Sequence, residues 1–297
     1  MASVANPMDD ISVRQLRFDF SKIETEQFVW SQSNPEFAIF INALGIHVPF
    51  FERFLVQVMR RYRDRIRDPE LLEDVQRIIG QESHHAFNFV QWNQAMARRY
   101  PKVSVLAEEA KGYFERALND KDQKFQIGFT AGYETFTFLA GMIILDRYEA
   151  FMGRADPVMR ALWVWHQVEE VEHGAVAFDF FKAFYAEQEM YRKYMVVRAG
   201  CHILWQTFKG FAHIIRIEGY YRRPLKALAA WRFFTGFALD LVKAALPVFA
   251  ASYHPKRHPI CNDAQNSIAV GWRRYTQSGA NAHSLDEVAM QKLRSEI

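Results

Sequence analysis

Residues 166–176 read HQVEEVEHGAV, a His-x3-Glu-x2-His run formed by His166, Glu170 and His173. A helix turns about 100° per residue, so positions three and four apart share a face. That face continues to Met159, Leu162, Ala177 and Phe180, all apolar or small. Working outward, residues 81–87 read QESHHAF, with Glu82 and His85 three apart on the face of Leu71, Val75, Ile78 and Phe89. GYETFTF at 132–138 sets Glu134 on the stripe of Ile127, Thr130, Phe138 and Leu145. Glu52 shares a stripe with Val48, Leu55 and Met59. Each of these seven residues takes a position that helical periodicity assigns to the core. Acids are almost never buried unless they are paired or bind a metal. Four acids and three imidazoles on four core stripes call for cations, and seven ligands suffice for two ions but are too many for one.

Single features of this kind have ordinary explanations. One Glu on an apolar stripe is often a boundary residue, and one Glu-x-x-His arises by chance in many helices. Two such pairs, each preceded by a helix with an inward Glu, make a two-metal site the better reading. His84 and Glu172 point about 100° away from the adjacent ligand, so they are expected behind the ligands or at the surface. Glu169 likewise faces elsewhere.

The chain reads as all-α. Residues 1–34 form a polar and aromatic arm, and Asn34-Pro35 starts a first helix over 35–66, which Pro49 is expected to bend near Glu52. Asp68-Pro69 caps a second helix over 69–99, and an amphipathic piece covers 103–119. A third helix spans 122–151 and a fourth 156–187. Two more follow over 189–217 and 224–250, with Pro224 as a natural first helical residue. Shorter helices are expected over 263–276 and 284–296. No strand signal stands out. One domain over 1–297 is expected: the arm at 1–34, a dimetal four-helix bundle at 35–187, two additional helices at 188–253 and a tail at 254–297.

Composition bounds the function. Half of the 297 residues are hydrophobic and 26 are Phe, enough for a large core, while a net charge of +3 is too small to argue for nucleic acid. The run RRYRDRIR at 60–67 reads as the cationic end of a helix. Cys201 and Cys261 make no disulfide framework, which points to a reducing cytoplasm. The first twenty residues hold no apolar signal region, and no uncharged apolar stretch of about 18 residues predicts a membrane span. The helices over 189–217 and 224–250 are rich in aromatic and basic residues, among them Trp205, Phe208, Phe211, Trp231, Phe234 and Lys226. They read first as an outer layer on the bundle; an apolar channel or a peripheral membrane contact is the alternative.

The order Glu, Glu-x-x-His, Glu, Glu-x-x-His resembles that of ferritin-like di-iron carboxylate proteins. With His166 added, the ligand pattern over about 45–175 is similar to the p-aminobenzoate N-oxygenase group. The phrases QESHHAFNF at 81–89 and EEVEHGAVAFDFF at 169–181 resemble those of a bacterial family labelled predicted metal-dependent hydrolase, and this likeness extends into the C-terminal helices. The first resemblance implies a ferritin-like four-helix bundle with Glu82 and Glu170 bridging two ions. Mixed carboxylate and imidazole ligands suit iron first, then manganese, with zinc as a further alternative.

The expected function is a di-iron oxygenase or oxidase. It would take O2 as co-substrate and electrons from a donor protein or reductant, and oxidise an apolar or amphipathic small molecule. A two-metal hydrolase is the alternative, and a non-catalytic metal- or lipid-binding protein the third reading. A homodimer is compatible with all three.

Overall fold

Side-chain caps and prolines set most helix starts. Asn34, Asp68, Asp122 and Asp156 each accept from backbone N–H groups of the first turn that follows, and Pro35, Pro69 and Pro157 occupy the first helical positions. The computed structural model describes residues 6–21, 23–261 and 266–295. Its α-helices are α1 Pro35–Leu44, α2 Val48–Tyr62, α3 Pro69–Met96, α4 Lys102–Asp120, α5 Gln123–Asp146, α6 Tyr148–Met152, α7 Pro157–Glu172, α8 Val176–Tyr185, α9 Glu189–Ile217, α10 Pro224–Ala245, α11 Ser267–Gln277 and α12 Glu287–Ser295. Among the described residues there is no strand, only an isolated bridge between Ser31 and Ala155. The all-α expectation stands.

Three of the expected helices are each divided in two. The helix expected over 35–66 is two, α1 and α2, separated by a turn at Gly45–His47, with Pro49 in the first turn of α2 rather than at a bend. The helix expected over 156–187 is also two, because the chain leaves helical geometry after Glu172. His173 is therefore the C-cap of α7. The third expected helix stops at Asp146, and the short α6 follows Arg147. The start of the helix expected over 263–276 and the last residue of that expected over 284–296 lie outside the described residues, as do residues 1–5 of the arm.

Helices α2, α3, α5 and α7 carry the candidate ligands. Helix α2 packs on α3, and α5 packs on α7, α8 and α9. Gly132 allows the closest of these approaches: a Cβ there would stand 2.5 Å from the backbone oxygen of Met195 on α9. Helix α7 is buried almost all round. The arm lies across it, with the ring of Phe18 5.8 Å from that of Trp165, and α11 packs on another side. A helix covered on every side has no surface face to spare for charge.

Two segments, Pro35–Arg65 and Gln123–Asp146, are long and apolar enough to cross a membrane by length and composition, but 89% and 78% of their most apolar windows are buried inside the protein. They are the core of the bundle.

Candidate metal centre

All seven sequence-derived residues meet at one place, and all are buried. They form two ligand groups. Glu52, His85, His166 and Glu170 make one; Glu82, Glu134, Glu170 and His173 make the other; in each, the ligating atoms lie within 4.8 Å of one another. Glu170 belongs to both. Glu82 falls in the second group alone, although its Oε1 is 3.7 Å from the Nδ1 of His85. Glu170 is the carboxylate that falls in both groups, and Glu82, the other bridging residue that the resemblance implied, lies in one group and beside the His85 of the other.

The contacts inside the groups are not those of ordinary hydrogen bonds. The Nε2 of His173 lies 3.1 Å from Glu82 Oε1, 3.1 Å from Glu134 Oε2 and 3.3 Å from Glu170 Oε2. One ring nitrogen carries at most one hydrogen and cannot serve three acceptors. The Nε2 of His166 is similarly placed, 3.2 Å from Glu52 Oε1 and 3.0 Å from Glu170 Oε1. Buried Glu52 Oε2, both oxygens of Glu82, Glu134 Oε2 and His85 Nδ1 have no hydrogen-bond partner. Such orphaned atoms are costly unless something else occupies the space between them. Donor chemistry and orphaned atoms together fit two divalent cations.

Charge gives the same answer. Among the described residues, the ion pairs of Glu52, Glu82, Glu134 and Glu170 run to histidines only. Four carboxylates balance two divalent ions. Without metal, burial pushes Glu52 up to about 7 and raises Glu82 and Glu134. Burial acts on Glu170 too, but His166 and His173 outweigh it and hold that carboxyl well below the usual range. His85 and His173 are raised well above the ordinary imidazole value: burial opposes this, and their carboxylate neighbours prevail. Protons are thus retained where metal ions would sit.

A ring of supporting groups lies behind the ligands. Glu169 Oε2 stands 3.0 Å from His85 Nε2, the ring nitrogen turned away from Glu82 and Glu170. Gln81 Oε1 stands 2.9 Å from His173 Nδ1, and the Gln81 amide donates to Glu172 Oε2 at 3.1 Å. The side-chain amide of Gln167 is 2.9 Å from His166 Nδ1. The structure sets the amide nitrogen toward the ring; a metal on Nε2 would leave the hydrogen on Nδ1, and the amide would then turn its oxygen to accept from it. Carboxylates and amides so placed fix ring orientation and raise ligand basicity.

The outer acids are paired, unlike the inner ones. Arg14, from the N-terminal arm, donates to Glu169 at 3.1 Å and to Glu172 at 2.9 Å. Arg273, from α11, donates to Glu172 at 2.8 Å. Glu172 was expected behind the ligands or at the surface, and Glu169 away from the site; both are fully buried directly behind it. The sequence held one unused signal. Glu169 and Glu172 are three apart and so share a face of the helix beside that of His166 and Glu170. Nothing local marks Arg14 or Arg273 as their partners. His84 is half-buried and belongs to neither ligand group.

A narrow apolar cleft opens beside the first group. Phe40, Leu44, Trp163, Ile203 and Leu241 are among its walls, and His166, Gln167 and Glu170 line one side of it. Its free space is about 40 Å³, room for about three waters given the roughly 10–15 Å³ that one water requires on such a measure. Helices α1, α2, α5, α7, α9 and α10 all contribute to its walls.

Comparison with known proteins gives one result. Residues 12–259 match the model of a family described as "predicted metal-dependent hydrolase". No curated protein and no solved structure matches the chain.

Proposed function

From the premise that this chain belongs to the predicted metal-dependent hydrolase family, we propose that it is a two-metal enzyme that activates dioxygen to oxidise an apolar or amphipathic small molecule. One observation carries this reading: a fully buried Glu/His ligand set opens onto a cleft with apolar walls. Glu52, His85, His166 and Glu170 would hold one ion, and Glu82, Glu134, Glu170 and His173 the other, iron or manganese being the metals that this donor set suits. When bound, such metals supply electrons to dioxygen and neutralise the charge of four carboxylates.

The protein's part is positional. Glu170 fixes the spacing of the two groups, because one side chain serves both. Glu169, Gln81 and Gln167 hold the three imidazoles in a single orientation. Trp163, Phe40 and Leu44 keep bulk water from the side of the centre that His166 and Glu170 present. A ligand larger than the free space needs the walls of the cleft to move apart.

Hydrolysis is the second reading, and the family description favours it; the comparisons carry nothing in favour of oxygen chemistry. The same metals would then lower the pKa of a bound water. The cleft is a poor route for the polar group that such a water would attack. The deciding assay uses two preparations. The iron-loaded protein with a chemical reductant is followed by oxygen electrode, with and without medium-chain fatty acids and alkyl aromatics as probes. The zinc-loaded protein is tested without oxygen on esters and amides. Oxygen uptake stimulated by an apolar probe, absent in Glu170→Ala, is the expected result. Robust anaerobic hydrolysis by the zinc form, with no stimulated uptake by the iron form, would replace the oxidative reading with the hydrolytic one.

A further inference from the structure

The outer faces of α9 and α10 form an apolar and basic surface that none of the described residues covers. On α9, Tyr194, Val197, Cys201, Trp205 and Phe208 are exposed at helical spacing along one face. On α10 and the short turn after it, Leu225 and Leu228 are exposed near the start and Leu239, Val242 and Leu246 near the end, at successive spacings of three, eleven, three and four. The exposure is substantial: 59% for Trp205, 58% for Leu239 and 83% for Leu225. The two helices run as an antiparallel pair. Arg192 near the start of α9 donates to the carbonyl of Val248 just past the end of α10, and the rings of Trp205, Phe208 and Trp231 join one helix to the other. Large apolar side chains gathered on one exposed face, rather than scattered singly, mark an interaction surface.

Charge identifies the partner. Arg216, Lys226, Arg232 and Lys243 on this pair of helices, and Arg222 and Arg223 in the link between them, are exposed. Over 190–250 the acids are Glu218 and Asp240, each already bound, to Arg99 at 2.7 Å and to Arg147 at 2.6 Å. A twofold contact with a second copy would set this patch against itself and bring like charges together. An anionic lipid surface offers the opposite charge to the arginines and lysines, and an apolar layer to the leucines and aromatic rings. Neither helix is among the segments long and apolar enough to span a bilayer, so the geometry is that of helices lying on it. The inner faces of the same helices, through Ile203, Leu204, Thr207 and Leu241, wall the apolar cleft beside the metal ligands.

We infer that the α9–α10 face docks on an anionic membrane surface and sets the cleft against the bilayer. The test uses the full chain without added metal, so its outcome is independent of which reaction the centre performs. Flotation is measured with vesicles of phosphatidylcholine alone and with vesicles containing phosphatidylglycerol. A second readout is an environment-sensitive fluorophore on Cys201, the exposed one of the two free thiols. The protein is expected to float with the anionic vesicles, to bind less in high salt, and to show a blue shift of the label. The double variant Trp205→Ser/Leu239→Ser, with unchanged helical circular dichroism, should bind about tenfold or more weakly. No flotation, or equal flotation of the double variant, overturns the assignment. So does a dimer in sedimentation that the double variant converts to a monomer, since the face would then belong to a second copy.

Discussion

The ring of His85 is held from both sides: its Nε2 lies 3.0 Å from Glu169 Oε2, while its Nδ1 faces Glu82 and Glu170 at 3.7 and 3.8 Å. Glu169 is in turn held by Arg14, and through Glu172 the same guanidinium is tied to the helix that carries three of the ligands. Arm, outer carboxylate and imidazole thus form one chain of contacts ending at the metal ligands.

Glu169→Ala is expected to leave the helical content intact and weaken metal binding by about 10- to 100-fold, the usual cost of removing a group that orients a ligating histidine. Titration calorimetry with Mn2+ is a direct measure. Unchanged affinity would show that packing alone, for example against Trp165 at 4.7 Å, orients the ring.

Sharing of Glu170 predicts unequal losses. Wild-type protein should bind two ions per chain by elemental analysis. Glu134→Ala, which touches only the second group, should retain about one. Glu170→Ala should retain fewer than Glu134→Ala, because both groups lose a ligand. Equal stoichiometry in the two variants would remove Glu170 from its bridging position.

The pH dependence follows from protons that occupy the metal-free centre. Glu52 is raised to about 7 by burial, so the folded chain binds a proton there that the unfolded chain has released. Its contribution to stability is full below the ordinary carboxylate range and is lost as pH rises through about 7. His85 and His173, also raised, act in the same sense, with contributions lost as pH rises above the ordinary imidazole value. Buried His47 and His202 are lowered by burial and oppose this at acid pH. The difference in Tm with and without metal isolates the centre. It should widen between about pH 6 and pH 8, because metal must displace these protons to bind. A difference that is flat across this range would contradict the proton-filled centre.

Gly132→Ala should destabilise the fold although alanine is the better helix former. The gain in propensity is about 1 kcal/mol. The added carbon would meet the Met195 carbonyl oxygen at 2.5 Å and its carbon at 2.9 Å, backbone atoms that cannot turn aside. Overpacking of this kind costs about 1–3 kcal/mol. Urea denaturation of metal-free protein reads the net change, and a more stable variant would show that α5 and α9 separate without cost.

What the sequence determined by itself was the set of seven inward residues and the all-α class. Both follow from local periodicity: spacings of three and four place Glu82 with His85, and His166 with Glu170 and His173, whatever the rest of the chain does. The tertiary structure decided the remainder. Glu169 and Glu172 occupy a face that periodicity alone leaves to solvent, and they became supports because Arg14 and Arg273 arrive from 155 and 101 residues away to cover them. The break after Glu172, the place of Glu170 in both ligand groups and the narrow cleft beside α9 likewise depend on how distant helices pack. Helical spacing fixes which side chains face inward; only contacts between remote segments fix what they meet there.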